Sequence, residues 1–391
     1  MGPRSARILS TGGRRDGEAV IKYIGSKRRL VPVLGAIAAA SGARSALDLF
    51  TGTTRVAQAF KRLGLTVTAV DTARYAGVFA RTYVEIDGDA VTPSELADAI
   101  EHLNALPGTP GYVTETFCVR SRFFQPFNGA RIDAIRDAIQ RDYAGSALEP
   151  VLLTSLIEAA DRVDSTIGVQ MAYVKEWAAR SYKPLELRVP ELLAGTGRAV
   201  RGDARVLAPT LGNFDLAYLD PPYNQHRYYT NYHVWETLVA WDEPEHYGVA
   251  CKRLDARDPS TKSEFNSKRT MPESLAATVA AVECGLLLLS YNDESWVGVD
   301  DLERMCSHHL EVVTLAFDSA RYVGARLGIH DSSGVKVGTV SHLRNREYLV
   351  IAGTVTAVRK AVTAASSVAT TVSAGARTPS RRIVPSTARP I

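Results

Sequence analysis

Between Ala46 and Asp71 the chain passes through an apolar run, a glycine turn, an amphipathic stretch and a second β-rich run. That succession restricts the fold more than any other feature. Ala46-Leu47-Asp48-Leu49-Phe50 reads as a short buried strand, Thr51 to Thr54 as a tight turn, and Arg55 onward as a helix with apolar positions at 56, 59, 60 and 63. After Gly64, Thr66 to Val70 reads as a second strand ending at Asp71. Strand, crossover helix and strand form a βαβ unit, the building block of a doubly wound α/β sheet. Gly52 lets the backbone approach a ligand closely, and the helix start offers free N–H groups. An acidic residue roughly 20 positions past such a turn is where doubly wound folds hold a ribose hydroxyl. Taken alone, the segment is equally compatible with an ordinary βαβ turn.

A second strand end adds the chemistry. The run Phe214 to Leu219 leads directly into Asp220-Pro221-Pro222-Tyr223. Prolines fix φ and carry no N–H, which leaves their carbonyls free to accept from a ligand. Asp220 adds a carboxylate acceptor, and Tyr223 a face on which a flat base can stack, typically worth about 1–3 kcal/mol. Acceptors beside a stacking face suit an exocyclic amine on a base.

These residues bring the chain to a known family. It resembles the alpha-type, Dam-like N6-adenine DNA methyltransferases that use S-adenosylmethionine. The likeness rests on Lys22-Tyr23-Ile24-Gly25-Ser26-Lys27, the Asp48 to Thr54 turn, Arg201-Gly202-Asp203-Ala204, and Asp220 to Tyr223, in that order. Asn224 to Glu236, centred on Asn231-Tyr232-His233, is similar to a type IIS-associated branch. The matched segments lie within 22–85 and 198–300. One departure is Thr54, where the family usually carries a second glycine.

The resemblance implies a Rossmann-like methyltransferase sheet and a set of site residues. Asp220, Pro221, Pro222 and Tyr223 would be catalytic. Asp220 and the Pro221 carbonyl would accept from both N–H groups of the adenine amine, localising its lone pair for in-line attack on the sulfonium methyl. The base must first leave the duplex. Lys22, Tyr23, Gly25 and Lys27 would line the methionine end of the cofactor, and Asp71 the ribose. Asp203 and Ala204 would border the cofactor's adenine. Gly52 would admit the cofactor. Asp48 would hold the cofactor or structure its turn; Phe50 would pack on the cofactor or fill the core. No metal is expected.

Two stretches combine basic, hydroxyl and aromatic residues in the way a phosphate-gripping surface does. One holds Arg120, Arg122, Asn128, Arg131 and Arg136; the other Lys252, Arg253, Lys262, Lys268 and Arg269. Each is also consistent with a solvated loop. Asn224, His226, Arg227, Tyr228 and Tyr229 follow the tetrapeptide and are placed to contact DNA beside the extruded base.

Composition sets the limits. The 391 residues suffice for a catalytic domain at 21–85 and 198–355 with a helical insertion at 86–197, a candidate target-recognition region. Helices are expected at Ser94–Leu103, Ile132–Tyr143 and Val151–Ile167. The insertion leads back into Ala199–Asp203, and core strands are expected to resume at Phe214–Leu219, Gly285–Ser290, Leu310–Phe317 and Glu347–Ala352, the last two as an antiparallel edge pair. Residues 1–20, rich in Gly, Arg and Ser, read as mobile. Beyond 356, six basic and no acidic residues among Ala, Ser, Thr and Val read as a disordered basic tail. Set against a net charge of +4, those six leave the remainder at −2, so any DNA surface must be a local patch. No apolar run is long enough to span a membrane and no signal peptide is evident. The four cysteines have no metal-type spacing, which suits a reduced, cytoplasmic setting, and none follows a proline as a cytosine-C5 nucleophile would.

Duplex DNA is thus the expected partner, with a cognate restriction endonuclease alongside. Three alternatives compete: guanine N2 methylation of RNA, cytosine N4 methylation, and a non-catalytic DNA-binding protein. Asp rather than Ser at 220 favours adenine over cytosine. The lysine segment and large insertion weigh against RNA.

Overall fold

The apolar runs picked out above become the central strands of one sheet. The computed structural model describes residues 21–23, 27, 30–174, 176–225, 227–293, 295–320, 329–330, 336–338, 344–375 and 384–385. The expected mobile stretch 1–20, Gly25 and His226 lie outside the described residues. Seven strands, β1 Ser45–Leu49, β2 Thr66–Asp71, β3 Arg198–Arg201, β4 Asn213–Leu219, β5 Glu283–Asn292, β6 Glu311–Ala320 and β7 Arg344–Gly353, lie in the order 3-2-1-4-5-7-6. Val384–Pro385 adds a two-residue eighth member beside β6. The first five strands pair in parallel; β7 runs antiparallel to both β5 and β6. The expected antiparallel pair is present, but β7 sits inside the sheet, leaving β6 further out.

Burial on both faces explains why the strands read as near-continuous apolar runs. Leu216, Tyr218, Leu286, Leu288, Leu349 and Ile351 face helices α1 (Val31–Ser41) and α2 (Arg55–Arg62). Their period-2 neighbours Ala217, Leu219, Leu287, Leu289 and Val350 turn the other way, against Met271, Leu275 and Val279 of the helix Met271–Ala281 and Leu302 of the helix Val299–Met305.

Strand β2 leads through α3 (Arg74–Ala80) into the insertion, whose helices are α4 (Pro93–Ala105), α5 (Pro126–Asp142) and α6 (Glu149–Val163). Each begins with proline at its first or second position, where the missing N–H costs nothing. The insertion enters and leaves through a narrow neck: Gly88 N donates to Leu193 O at 2.9 Å and Gly195 N to Asp87 Oδ1 at 2.9 Å. It does not have a core of its own. Phe117, Phe123, Ile132, Leu152 and Leu156 pack with Tyr75 and Phe79 of α3, and with Trp235 and Leu238 of α7 (His233–Ala240), a helix downstream of Asp220–Tyr223.

The tail is corrected in part. Taking Met271–Ala281 as α8 and Val299–Met305 as α9, residues 355–375 form a further helix, α10 (Val355–Gly375). Its buried Val358, Ala361 and Ala365 lie at helical spacing and join the core that holds Leu34, Ile37 and Ala38 of α1. Thr354 accepts from Ala357 N and Val358 N at its start.

Candidate active site

The sheet order reverses direction between β1 and β4, so the carboxyl ends of these strands open onto a crevice, where open α/β sheets bind ligands. A cleft lies there. The turn after β1 shapes one wall. Phe50, Gly52 and Thr54 all adopt positive φ, at 74°, 52° and 60°. A Cβ on Gly52 would sit 3.2 Å from the Tyr23 ring, so both conformation and space favour glycine there. Thr54, the position without the expected glycine, takes the left-handed conformation itself. It is buried, with its hydroxyl donating to Thr53 O at 2.7 Å and accepting from Gln58 Nε2 at 2.9 Å.

Asp48 braces this turn: its Oδ2 accepts from Thr51 Oγ1 at 2.8 Å and Ala57 N at 3.0 Å. Its Oδ1 is buried without a hydrogen-bond partner, and burial pushes the carboxyl up to about 7. Asp71, at the end of β2, accepts from Gly52 N (2.8 Å) and Ala73 N (2.9 Å). Burial raises its pKa, and these backbone donors oppose that shift. A carboxylate has lone pairs for further donors, so Asp71 is still open to a hydroxyl from the cleft it lines.

Asp220 stands at the end of β4 on the opposite wall. Lys27 Nζ lies 3.0 Å from its Oδ1 and also contacts Glu347 Oε1. The lysine side chain is 6% exposed, so its charge is nearly out of water. Burial works against that charge, but Asp220 and Glu347 together hold Lys27 well above the ordinary lysine value. Asp220 is pushed up by burial to about 6, with Lys27 pulling it down and Glu347 pushing it up. Pro221 is buried; Pro222 and Tyr223 are half-buried. The Tyr223 ring centroid is 5.8 Å from Lys27 Nζ and its edge meets Tyr291 at 5.9 Å.

Tyr23 stacks with Tyr228 (5.3 Å) and Tyr232 (4.8 Å), themselves 6.3 Å apart, and this three-ring cluster gives the cleft an aromatic end. Phe50 meets Phe265 edge-on at 5.0 Å, and both rings line the cleft. Gly202, Asp203 and Ala204 border it beyond β3, and Arg227 reaches Thr261 Oγ1 at 2.9 Å. The structure therefore gathers Tyr23, Lys27, Asp48, Phe50, Gly52, Asp71, Asp203, Ala204, Asp220, Pro222, Arg227, Tyr228 and Tyr229 in one place.

Several expected residues stand elsewhere. Lys22 does not line the cleft: its ammonium contacts the Asp161 carbonyl oxygen and Asp164 Oδ1 (2.9 Å), fastening the N-terminal segment to the end of α6. Two expected DNA contacts are buried braces. Arg136 donates to Leu238 O at 2.7 Å and lies over Trp241, and Arg253 forks onto Asp242 and Asp255. Asn128 likewise spends its amide on Ser181 O, Lys183 O and Leu185 N, and Arg131 donates to Leu106 O and Asn104 O. Arg120 pairs with Glu115 on the surface, Arg122 stacks on Trp177 at 4.7 Å, and Asn224 O accepts from Asn266. Lys252 is half-buried; Lys262, Lys268 and Arg269 are exposed.

Sequence reasoning missed Thr261, Ser263, Phe265 and Asn266, a loop that closes one side of the cleft, and Glu347. A lone phenylalanine within the basic, hydroxyl-rich stretch 252–269 was the signal for that loop; Glu347 gave none. Among the described residues no cluster of metal ligands occurs, and no helix is long and apolar enough to cross a membrane.

Residues 23–305, from the tyrosine under Gly52 to beyond the fifth strand, match the model of the D12 class N6 adenine-specific DNA methyltransferases. The chain belongs to this family. Among curated relatives, it is 29% identical over 269 residues to Type II methyltransferase M.NlaIII of Neisseria lactamica, covering 66% of this chain and 78% of that protein. Modification methylase StsI of Streptococcus sanguinis is 28% identical over 301 residues, 72% of this chain and 45% of its own length. Type II methyltransferase M.FokI of Planomicrobium okeanokoites is 26% identical over 311 residues, 74% and 47% respectively. The chain thus spans less than half the length of the last two. A solved O-methyltransferase family protein from Burkholderia thailandensis shares 13% identity over 84% of this chain and 57% of its own, with a TM-score of 0.23. That likeness is too slight to bear on the fold, which rests on the strand order above.

Proposed function

We propose that this D12 methyltransferase moves a methyl group from S-adenosyl-L-methionine to the N6 amine of an adenine turned out of duplex DNA, as the modification activity of a restriction-modification system. The observation that carries the reading is the Asp220 carboxylate at the rim of β4, held by Lys27 in the cleft that also contains Gly52 and Asp71.

The residues fit that cofactor. Asp71 and Asp203 offer carboxylate acceptors to hydroxyl and amine groups of such a ligand, and Phe50 and Phe265 offer apolar surface to a ring. Asp71 would hold the ribose, Asp203 and Ala204 would border the adenine, and Tyr23, Gly52 and Asp48 would line the methionine side. When bound, the cofactor supplies an electrophilic methyl group on sulfur. The chain's own part is positioning and electrostatics. Asp220 and the Pro221 carbonyl accept from the target amine, Asp220 receives the released proton, and Tyr223 stacks on the extruded base. Arg120, Arg122, Asn224, Arg227, Tyr228, Lys262 and Lys268 remain the candidates for gripping DNA.

Acceptance requires an ionised Asp220. Because burial sets its pKa at about 6 in the free protein, kcat/KM is expected to be flat above that value and to fall as pH drops through it, as the protonated acid loses an acceptor. Asp71→Ala should weaken cofactor binding about ten- to a hundredfold, the cost of one hydrogen bond to a charged group. Isothermal titration reads this directly; unchanged affinity with slower turnover would remove Asp71 from the ribose site.

The deciding experiment incubates the protein with methyl-labelled S-adenosyl-L-methionine and either duplex DNA or ribosomal RNA, then digests to nucleosides. Label in N6-methyladenine from DNA is expected. Label in N2-methylguanine or N4-methylcytosine would replace the reading, and no label in any nucleoside would leave a DNA-binding protein. Long-read sequencing of DNA from cells expressing this chain alone would then give the recognition sequence.

A further inference from the structure

We propose that Glu347 is a positioning residue for methyl transfer: from the rim of β7 it anchors Lys27 against Asp220 and so fixes the direction and the charge of that carboxylate. The inference rests on the catalytic role given above to Asp220.

The argument begins with Lys27. A lysine ammonium on four flexible carbons is a poor single-point clamp, since it loses much rotamer freedom when held in one place. Here it lies between two carboxylates, Asp220 Oδ1 at 3.0 Å and Glu347 Oε1, with side-chain exposures of 6%, 18% and 15% for lysine, aspartate and glutamate. Two anchors from different elements define one ammonium position where one anchor would not.

Strand direction explains how Glu347 comes to be there. In a parallel sheet only strand C-termini reach this rim. Because β7 enters antiparallel between β5 and β6, its N-terminal end lies beside their partners at the same rim. There Glu347 pairs in register with Asn292 of β5 and Phe317 of β6. The groups acting on Asp220 are Lys27 and Glu347 together with Tyr218 of its own strand, Asp48 of β1 and Tyr228 of the segment after the tetrapeptide. Lys27, 3.0 Å away, is the cation that favours the ionised form of Asp220. A second carboxylate on the far side of that cation divides its field, leaving Asp220 a better proton acceptor than a lysine committed to it alone would permit. The released proton of the methylated amine goes to Asp220, so this division bears on the reaction itself.

The test compares wild type, Glu347→Gln and Glu347→Asp, with folding followed by circular dichroism. Asp220 is titrated by NMR of carboxyl-labelled aspartate, its resonance assigned with Asp220→Asn. In Glu347→Gln, Lys27 turns wholly to Asp220. Both the Asp220 titration and the acid limb of kcat/KM should then move about one pH unit lower. Above pH 7, kcat should fall about tenfold with the KM for S-adenosyl-L-methionine changed less than twofold, and Glu347→Asp should restore part of the loss. An Asp220 titration unmoved in a folded Glu347→Gln protein overturns the proposal, as does unaltered kcat. If wild type methylates no DNA, the catalytic reading fails and with it the role in transfer. The NMR titration would still report whether Glu347 governs Asp220.

Discussion

Replacing Asp220 by asparagine is expected to lower methyl transfer to duplex DNA by about a hundred- to a thousandfold, with cofactor affinity changed no more than a few-fold. The side chain keeps its shape but loses charge and proton affinity together. Its amide nitrogen is a donor, and wherever it points it faces either Lys27 or the incoming amine, both donors themselves. Lys27 retains Glu347 as a partner, so the fold keeps its counter-charge and the loss should fall on the chemical step. Single-turnover transfer of labelled methyl, set beside equilibrium binding of S-adenosyl-L-methionine, separates the two. If turnover fell only in proportion to cofactor affinity, Asp220 would be a cofactor ligand and not the acceptor of the amine.

The second large effect lies outside the cleft. Arg253→Ala should destabilise the fold by about 3 kcal/mol, the low end for a broken buried ion pair, since Asp242 and Asp255 keep partial contact with water. Arg253 is 2% exposed, and its guanidinium donates to Asp242 Oδ1 and Oδ2 at 2.7 Å each and to Asp255 Oδ2 at 2.7 Å. Urea unfolding measures the loss. The folded variant should keep the wild-type dependence of DNA binding on salt, whereas Lys262→Ala, at an exposed position, should flatten the log–log slope by about one. A normally stable Arg253→Ala protein with weakened DNA affinity would return that arginine to the DNA surface.

How far the sequence could be read depended on whether the information was local. The strands leading to Phe50, Asp71 and Asp220 announce themselves because each short apolar run abuts a residue pattern that ends a strand. The three insertion helices showed in their periodicity, and their proline starts mark their true beginnings a few residues earlier. Partnership across the chain was invisible: Lys27 and Glu347 stand 320 residues apart, and nothing in either neighbourhood points to the other. The same limit misassigned Arg136, Arg253 and Lys22, since a basic side chain in a polar stretch reads alike whether water or a buried carbonyl receives it. In α10 the small residues Ala361 and Ala365 resemble disordered composition, yet their size is what lets the helix lie close on α1. Thr354, just after β7, was the local sign of its start.

The shared packing of insertion and catalytic half has a consequence for how such enzymes diversify. Because Trp235 and Leu238, a short way past the tetrapeptide, are buried among Phe117, Phe124 and Leu156, residues 86–197 are no detachable cassette despite their slender neck. A chimaera that imported this lobe from a relative would need to import α7 with it, or leave Trp235 without a socket. Change in this lobe should therefore come by substitution on its outer surface more readily than by wholesale exchange.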